Sequence, residues 1–118
     1  MQELTRELTD EERALLGKLV EGEWRGASEA RAQLLTSRRI VEPRLDLDFD
    51  LQVDTALEPI PAADGILKPT DQLVYRDGTC IAGVMIWVNQ GRLTSFEYYS
   101  LSDLEYDRLP LPAEIRRA

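Results

Sequence analysis

The residues whose type and spacing could do chemistry are carboxylates. Between Arg44 and Asp54, the acids Asp46, Asp48, Asp50 and Asp54, with Gln52, alternate with Leu45, Leu47, Phe49, Leu51 and Val53. That is the period of a half-buried strand with one apolar and one wet face. Alternate side chains on such a face stand about 7 Å apart, twice the strand rise. Like charges in a row repel and Asp is disfavoured in strands, so this face costs stability that a neutral one would not. A divalent cation could compensate, but carboxylates along a rigid strand do not converge on one ion as in a looped calcium site, and no such loop motif is present. A partner rich in lysine and arginine fits the row better, and an acidic edge that resists sheet-to-sheet aggregation fits it equally.

Glu97, followed by Tyr98 and Tyr99, is the second candidate cluster. Two carboxylates with a tyrosine can perform general acid–base work without histidine, provided that they converge and one pKa is raised. The chain has no histidine, which removes imidazole bases, histidine-based triads and histidine metal sites together. Cys80 is the only cysteine. It lies in an apolar stretch and reads as a small hydrophobe in a reducing compartment rather than as a nucleophile. The expectation is therefore no catalytic residue, no cofactor and no metal. The partner-binding candidates are Asp46, Asp48, Asp50, Asp54, Glu97 and Tyr99.

With 22 acidic against 14 basic residues, the net charge of 118 residues is −8. This argues against nucleic acid or an anionic membrane as partner and permits a basic protein. Simple solubility explains the charge as well. The start MQELTRELTDEE has neither a basic region nor an apolar core for a signal peptide, and no apolar run approaches membrane-spanning length. A cytoplasmic location is expected.

The elements that must position these groups centre on residues 72–101, read as three antiparallel strands. Asp77-Gly78 marks a type I′ hairpin, with Val74 facing Ile81 and Tyr75 beside Cys80. Residues 79–89 are apolar on both faces, which suits a central strand. Gln90-Gly91 makes the second turn. A two-residue loop there pairs Val88 with Leu93, Trp87 with Thr94, Met85 with Phe96 and Gly83 with Tyr98, leaving Glu97 and Ser95 beside Val84 and Ile86. A one-residue slip would exchange the faces.

Ahead of the meander, residues 1–8 are expected to be frayed. Thr9 to Glu12 form a capping box that starts a helix burying Leu15, Leu16, Leu19 and Val20. Trp24 lies in a short connector, and a second helix runs from Gly26 to about Thr36 with Ala27, Ala30, Leu34 and Leu35 apolar. Ile40-Val41 begins a strand segment broken at Pro43. Residues 55–70, with three prolines, read as a surface loop whose length hints at binding. Ser102 to Glu105 could cap one helical turn, Leu104, Tyr106, Leu109 and Leu111 dock the tail, and Arg116-Arg117 should lie in solvent. The fold expected is a single α+β domain: two N-terminal helices on a four- to five-stranded, mainly antiparallel sheet, a β-meander with a short docked C-terminal tail.

The segment from Trp87 to Tyr99, with its apolar strand, Gly turn, Leu93, Glu97 and paired tyrosines, followed by Leu109-Pro110, resembles the C-terminal half of a broad set of short, acidic, mostly uncharacterised bacterial proteins. The opening TDEERALL is similar too. Some bacterial proteins of this kind are immunity proteins against secreted toxins, and the resemblance implies a non-enzymatic inhibitor of a basic toxin, with Glu97 and Tyr99 marking a shared surface. Two alternatives stand beside it: a carboxylate-based small-ligand binder or enzyme, and a homodimer joined through an apolar sheet face.

Overall fold

A computed structural model describes residues 4–42, 47–101 and 108–117. In chain order the elements are β1 (Thr5–Glu7), α1 (Asp10–Leu19), α2 (Ala27–Thr36), β2 (Arg38–Ile40), β3 (Phe49–Gln52), β4 (Gly65–Ile66), β5 (Gln72–Arg76), β6 (Thr79–Asn89), β7 (Arg92–Ser100) and β8 (Ile115–Arg117). The strands pair antiparallel in the order β1-β2-β3-β7-β6-β5-β8, and β4 pairs with the far end of β6. The class is α+β as expected, but the sheet has eight strands among the described residues rather than four or five.

The additional strands are short border strands that no periodicity announces. β1 comes from the stretch expected to be frayed, β4 from the long loop and β8 from the Arg116-Arg117 ending. Two or three residues are too few to show an alternation, so their pairing rests on a neighbouring strand supplied by the rest of the fold.

Local signals placed the helices. The Thr9 hydroxyl accepts from the Glu12 amide at 3.1 Å and the Glu12 carboxylate accepts from the Thr9 amide at 2.9 Å, so the capping box forms in both directions. α1 buries Leu15, Leu16 and Leu19. The second helix buries Ala27, Ala30 and Leu34, but Leu35 is 76% exposed and Gln33 takes the inward position. On a helix Leu35 lies about 100° round from Leu34, and the stripe through 27, 30 and 34 leaves it outside. The two helices run antiparallel and each closes the other's end. Arg13 donates to the carbonyls of Leu34 and Leu35, and Arg31 to those of Val20 and Gly22.

Both hairpin turns form as read: φ is positive at Asp77, Gly78, Gln90 and Gly91, as type I′ geometry requires. The registers beyond them differ from expectation. Tyr75 does pair with Cys80, but Val74 pairs with Ala82, with an irregularity between them. Val88 pairs with Leu93 as expected, yet Trp87 then faces Ser95, Met85 faces Glu97 and Gly83 faces Tyr99. Thr94 is the extra residue of a β-bulge, and its hydroxyl donates to the Trp87 carbonyl at 3.2 Å.

That bulge exchanges the faces of β7. Phe96 and Tyr98 join Ile86 and Val84, whereas Glu97 and Tyr99 join Met85 and Gly83. The physical reason is burial: the unbulged register would place Glu97 beside fully buried Ile86 and Val84 and turn Phe96 away from the core. In the bulged register Phe96 stacks on Phe49 with ring centroids 5.1 Å apart, at the centre of the core.

The helices cover the Phe96 face. Gln72 on β5 donates to the Leu19 carbonyl at the end of α1, and Gln33 of α2 accepts from the Leu93 amide and donates to the Gly91 carbonyl. Glu12 of α1 binds Arg39 of β2 at 2.7 Å and Arg6 of β1 at 2.8 Å, and the Arg39 guanidinium also lies 4.6 Å from the Phe49 ring centroid. Arg6 and Arg39 thus serve the fold. No helix among the described residues is long and apolar enough to cross a membrane.

Candidate functional site

The face of the sheet turned away from the helices carries the candidate side chains that the fold brings together. Asp50 pairs with Ser95, Ser95 with Trp87, Glu97 with Met85 and Tyr99 with Gly83. Cross-strand partners project to the same side, so Asp50, Glu97 and Tyr99 share one surface with Trp87. The Trp87 indole donates to the Glu97 carboxylate at 3.3 Å. The Tyr99 phenol lies beside the Asp71 carboxylate. Its pKa is raised above the ordinary value of 10, first by burial, then by the Asp71 charge and hydrogen bond, with further contributions from Cys80 and Glu97. At neutral pH Tyr99 is therefore a donor, not a base.

The aspartate row does not form one continuous ladder. β3 begins only at Phe49 and ends at Gln52. Just before it, Asp48 accepts from the Tyr98 amide at 2.7 Å and so extends the β3–β7 pairing by a side chain. Asp54 lies past the strand and accepts from the Ala56 amide at 2.9 Å, closing a turn. Asp46, like Pro43 and Leu45, is outside the described residues, as are Ser102, Leu104, Glu105 and Tyr106 of the tail. Of the six candidates, Asp50, Glu97 and Tyr99 share one face, Asp48 adjoins them through β7, and Asp54 stands apart. The reason is local. Asp before a strand and Asp after one both find backbone amides to bind, which a uniform alternation conceals.

A second feature adjoins this face. Where β4 runs beside the end of β6, an open cleft of about 940 Å³ is lined by Trp24 and Arg25 of the helix connector, by Ile66 and Lys68 of the long loop, and by Asp71 and Trp87. Ile66 and Trp87 are cross-strand partners and remain 38% and 36% exposed. Ile60 and Leu67, each 2% exposed, pin the loop to the core and so hold this wall in place. Asp71 also lies beside Tyr99 and Trp87 donates to Glu97, so the cleft and the acidic face share a border. Sequence reasoning did not single out Arg25, Lys68 or Asp71. The length of the 55–70 loop was the one signal pointing here.

Among the described residues no group of three or more His, Cys, Asp or Glu side chains is placed to hold a metal ion. Comparison with protein-family models, with curated proteins and with solved structures yields no match to this chain.

Proposed function

We propose that the chain is a non-enzymatic, acidic protein-binding module whose sheet face turned away from α1 and α2 meets a basic surface on another protein. The observation that carries this reading is the gathering of Asp50, Glu97 and Tyr99 on one face beside Trp87, in a chain of net charge −8. Complementary charge accelerates association and selects against acidic partners. A protonated tyrosine and a half-exposed tryptophan add the amphipathic area that interfaces favour. With the resemblance described above, the partner is a basic toxin, and the acidic face occupies a surface built for phosphates.

The test is a binding titration against the protein encoded beside this one, comparing the wild type with Asp50→Asn/Glu97→Gln. Neither substitution removes a side chain of the core. Association of the variant is expected to be several-fold slower at low ionic strength, and the difference should narrow as salt screens it. Equal rates at low salt would remove the reading. The same face could instead join two copies of the chain, and light scattering on the same samples separates the two cases.

A further inference from the structure

We propose that the tryptophan cleft is a binding site for a small aromatic anion, held by Arg25 and Lys68 with its ring against Trp24 and Trp87. The cleft has the volume of ordinary small-molecule sites and an apolar wall with few polar groups.

What selects an anion is the distribution of partners among the cations. Among the described residues, Arg6, Arg39, Lys18, Arg76 and Arg108 bind carboxylates. Arg13, Arg31, Arg92 and Arg117 bind backbone carbonyls, Arg38 binds Thr5, and Arg116 lies over the Tyr75 ring. Among the described cations only Arg25 and Lys68 have no hydrogen bond, ion pair or ring contact, and both line this cleft.

Of the acids of the cleft, Asp64 accepts from the Gln90 amide at 2.7 Å and Asp71 lies beside the Tyr99 phenol. The donors left unused in the cleft are those of the two cations, while Trp87, Ile66 and the half-buried Trp24 offer apolar surface still in contact with water. A ring laid on that surface excludes water next to the cations and strengthens their pull on its charged group. By contrast, the 240 Å³ groove between α1 and α2 is flanked by Arg13 and Arg31, which are committed to helix-end carbonyls.

Trp24 and Trp87 are the only tryptophans, so tryptophan emission reports on the cleft and on its border with the acidic face, and the charge series with the double variant separates the two. Full-length protein is titrated with cinnamate, cinnamamide and cinnamylamine, which share a flat body and differ in charge. Cinnamate is expected to change the emission saturably and to bind about tenfold more tightly than the amide, the scale of one charge-assisted hydrogen bond. Arg25→Gln/Lys68→Gln should bring cinnamate down to the affinity of the amide and leave the amide unchanged. Both positions are exposed, and circular dichroism confirms that the variant folds. Equal binding of the three probes, preference for the amine, no saturable change with cinnamate, or undiminished cinnamate binding by the double variant would each overturn the proposal.

Discussion

Tyr99 lies across Gly83 so closely that a Cβ at position 83 would overlap the phenol ring. The pair fixes how β6 and β7 meet on the face turned away from α1 and α2, and it leads the phenol to Asp71. A glycine in a central strand weakens it unless something uses the missing side chain, and here the ring of Tyr99 does.

Gly83→Ala must therefore move the ring or the strand. We expect a loss of about 2 kcal/mol or more, as for other overpacked sites, read as a lowered urea midpoint. In a Tyr99→Ala background the same substitution should cost much less. An equal cost in both backgrounds would show that the ring is not the obstacle.

Glu12 is 3% exposed. Burial alone would raise its pKa, but hydrogen bonds from Arg6, the Thr9 amide and Arg39 outweigh it and lower the value from 4.5 to about 2. Because the folded value lies below the unfolded one, this stabilisation is complete above about pH 4.5 and is lost as pH falls toward 2. Glu114, bonded to Arg76 and Arg108, is lowered to about 2 and acts in the same window. Glu12→Gln should cost on the order of 3 kcal/mol at pH 7, since it leaves a partly buried arginine pair without its carboxylate. The gap between variant and wild type should close in urea melts taken toward pH 2; a gap independent of pH would contradict the assignment.

Asp48 and Asp50 look alike in sequence but differ in task. Asp48 holds the Tyr98 amide, so Asp48→Ala should destabilise by about 1–2 kcal/mol, whereas Asp48→Asn keeps an acceptor and should cost about half or less. Chemical denaturation of the two variants checks this. If they are equally destabilised, charge rather than the hydrogen bond matters at this site.

Gln33 is fully buried and ties α2 to the 55–70 loop and to the β6–β7 hairpin, donating to the Glu58 and Gly91 carbonyls at 3.0 and 2.8 Å and accepting from the Leu93 amide at 3.0 Å. Gln33→Met keeps the volume but leaves those backbone groups without partners. The expected cost is about 2–3 kcal/mol, together with faster hydrogen exchange at the Leu93 amide. Unchanged protection of that amide would show that the bond is dispensable.

The helix starts, the Thr9–Glu12 box, the two hairpin turns and the apolar central strand were all legible in the sequence. Each depends on groups within a few residues of one another: a hydroxyl three positions from an amide, or two residues that tolerate positive φ. The candidate face was legible only in part. Glu97 and Tyr99 were named, but the register that places them together with Asp50 is set by the Thr94 bulge, which no local signal marks.

The bulge, the border strands β1, β4 and β8, the burial of Gln33 and the placing of Arg25 and Lys68 along one cleft were decided by tertiary structure. The common cause is that each is a choice between local arrangements of similar energy, made by distant groups. Phe96 moves to the core side because Phe49 awaits it there, and Gln33 turns inward because the 90–93 turn presents both a donor and an acceptor. Periodicity can report which residues avoid water, but which surface they meet depends on contacts between residues far apart in the chain.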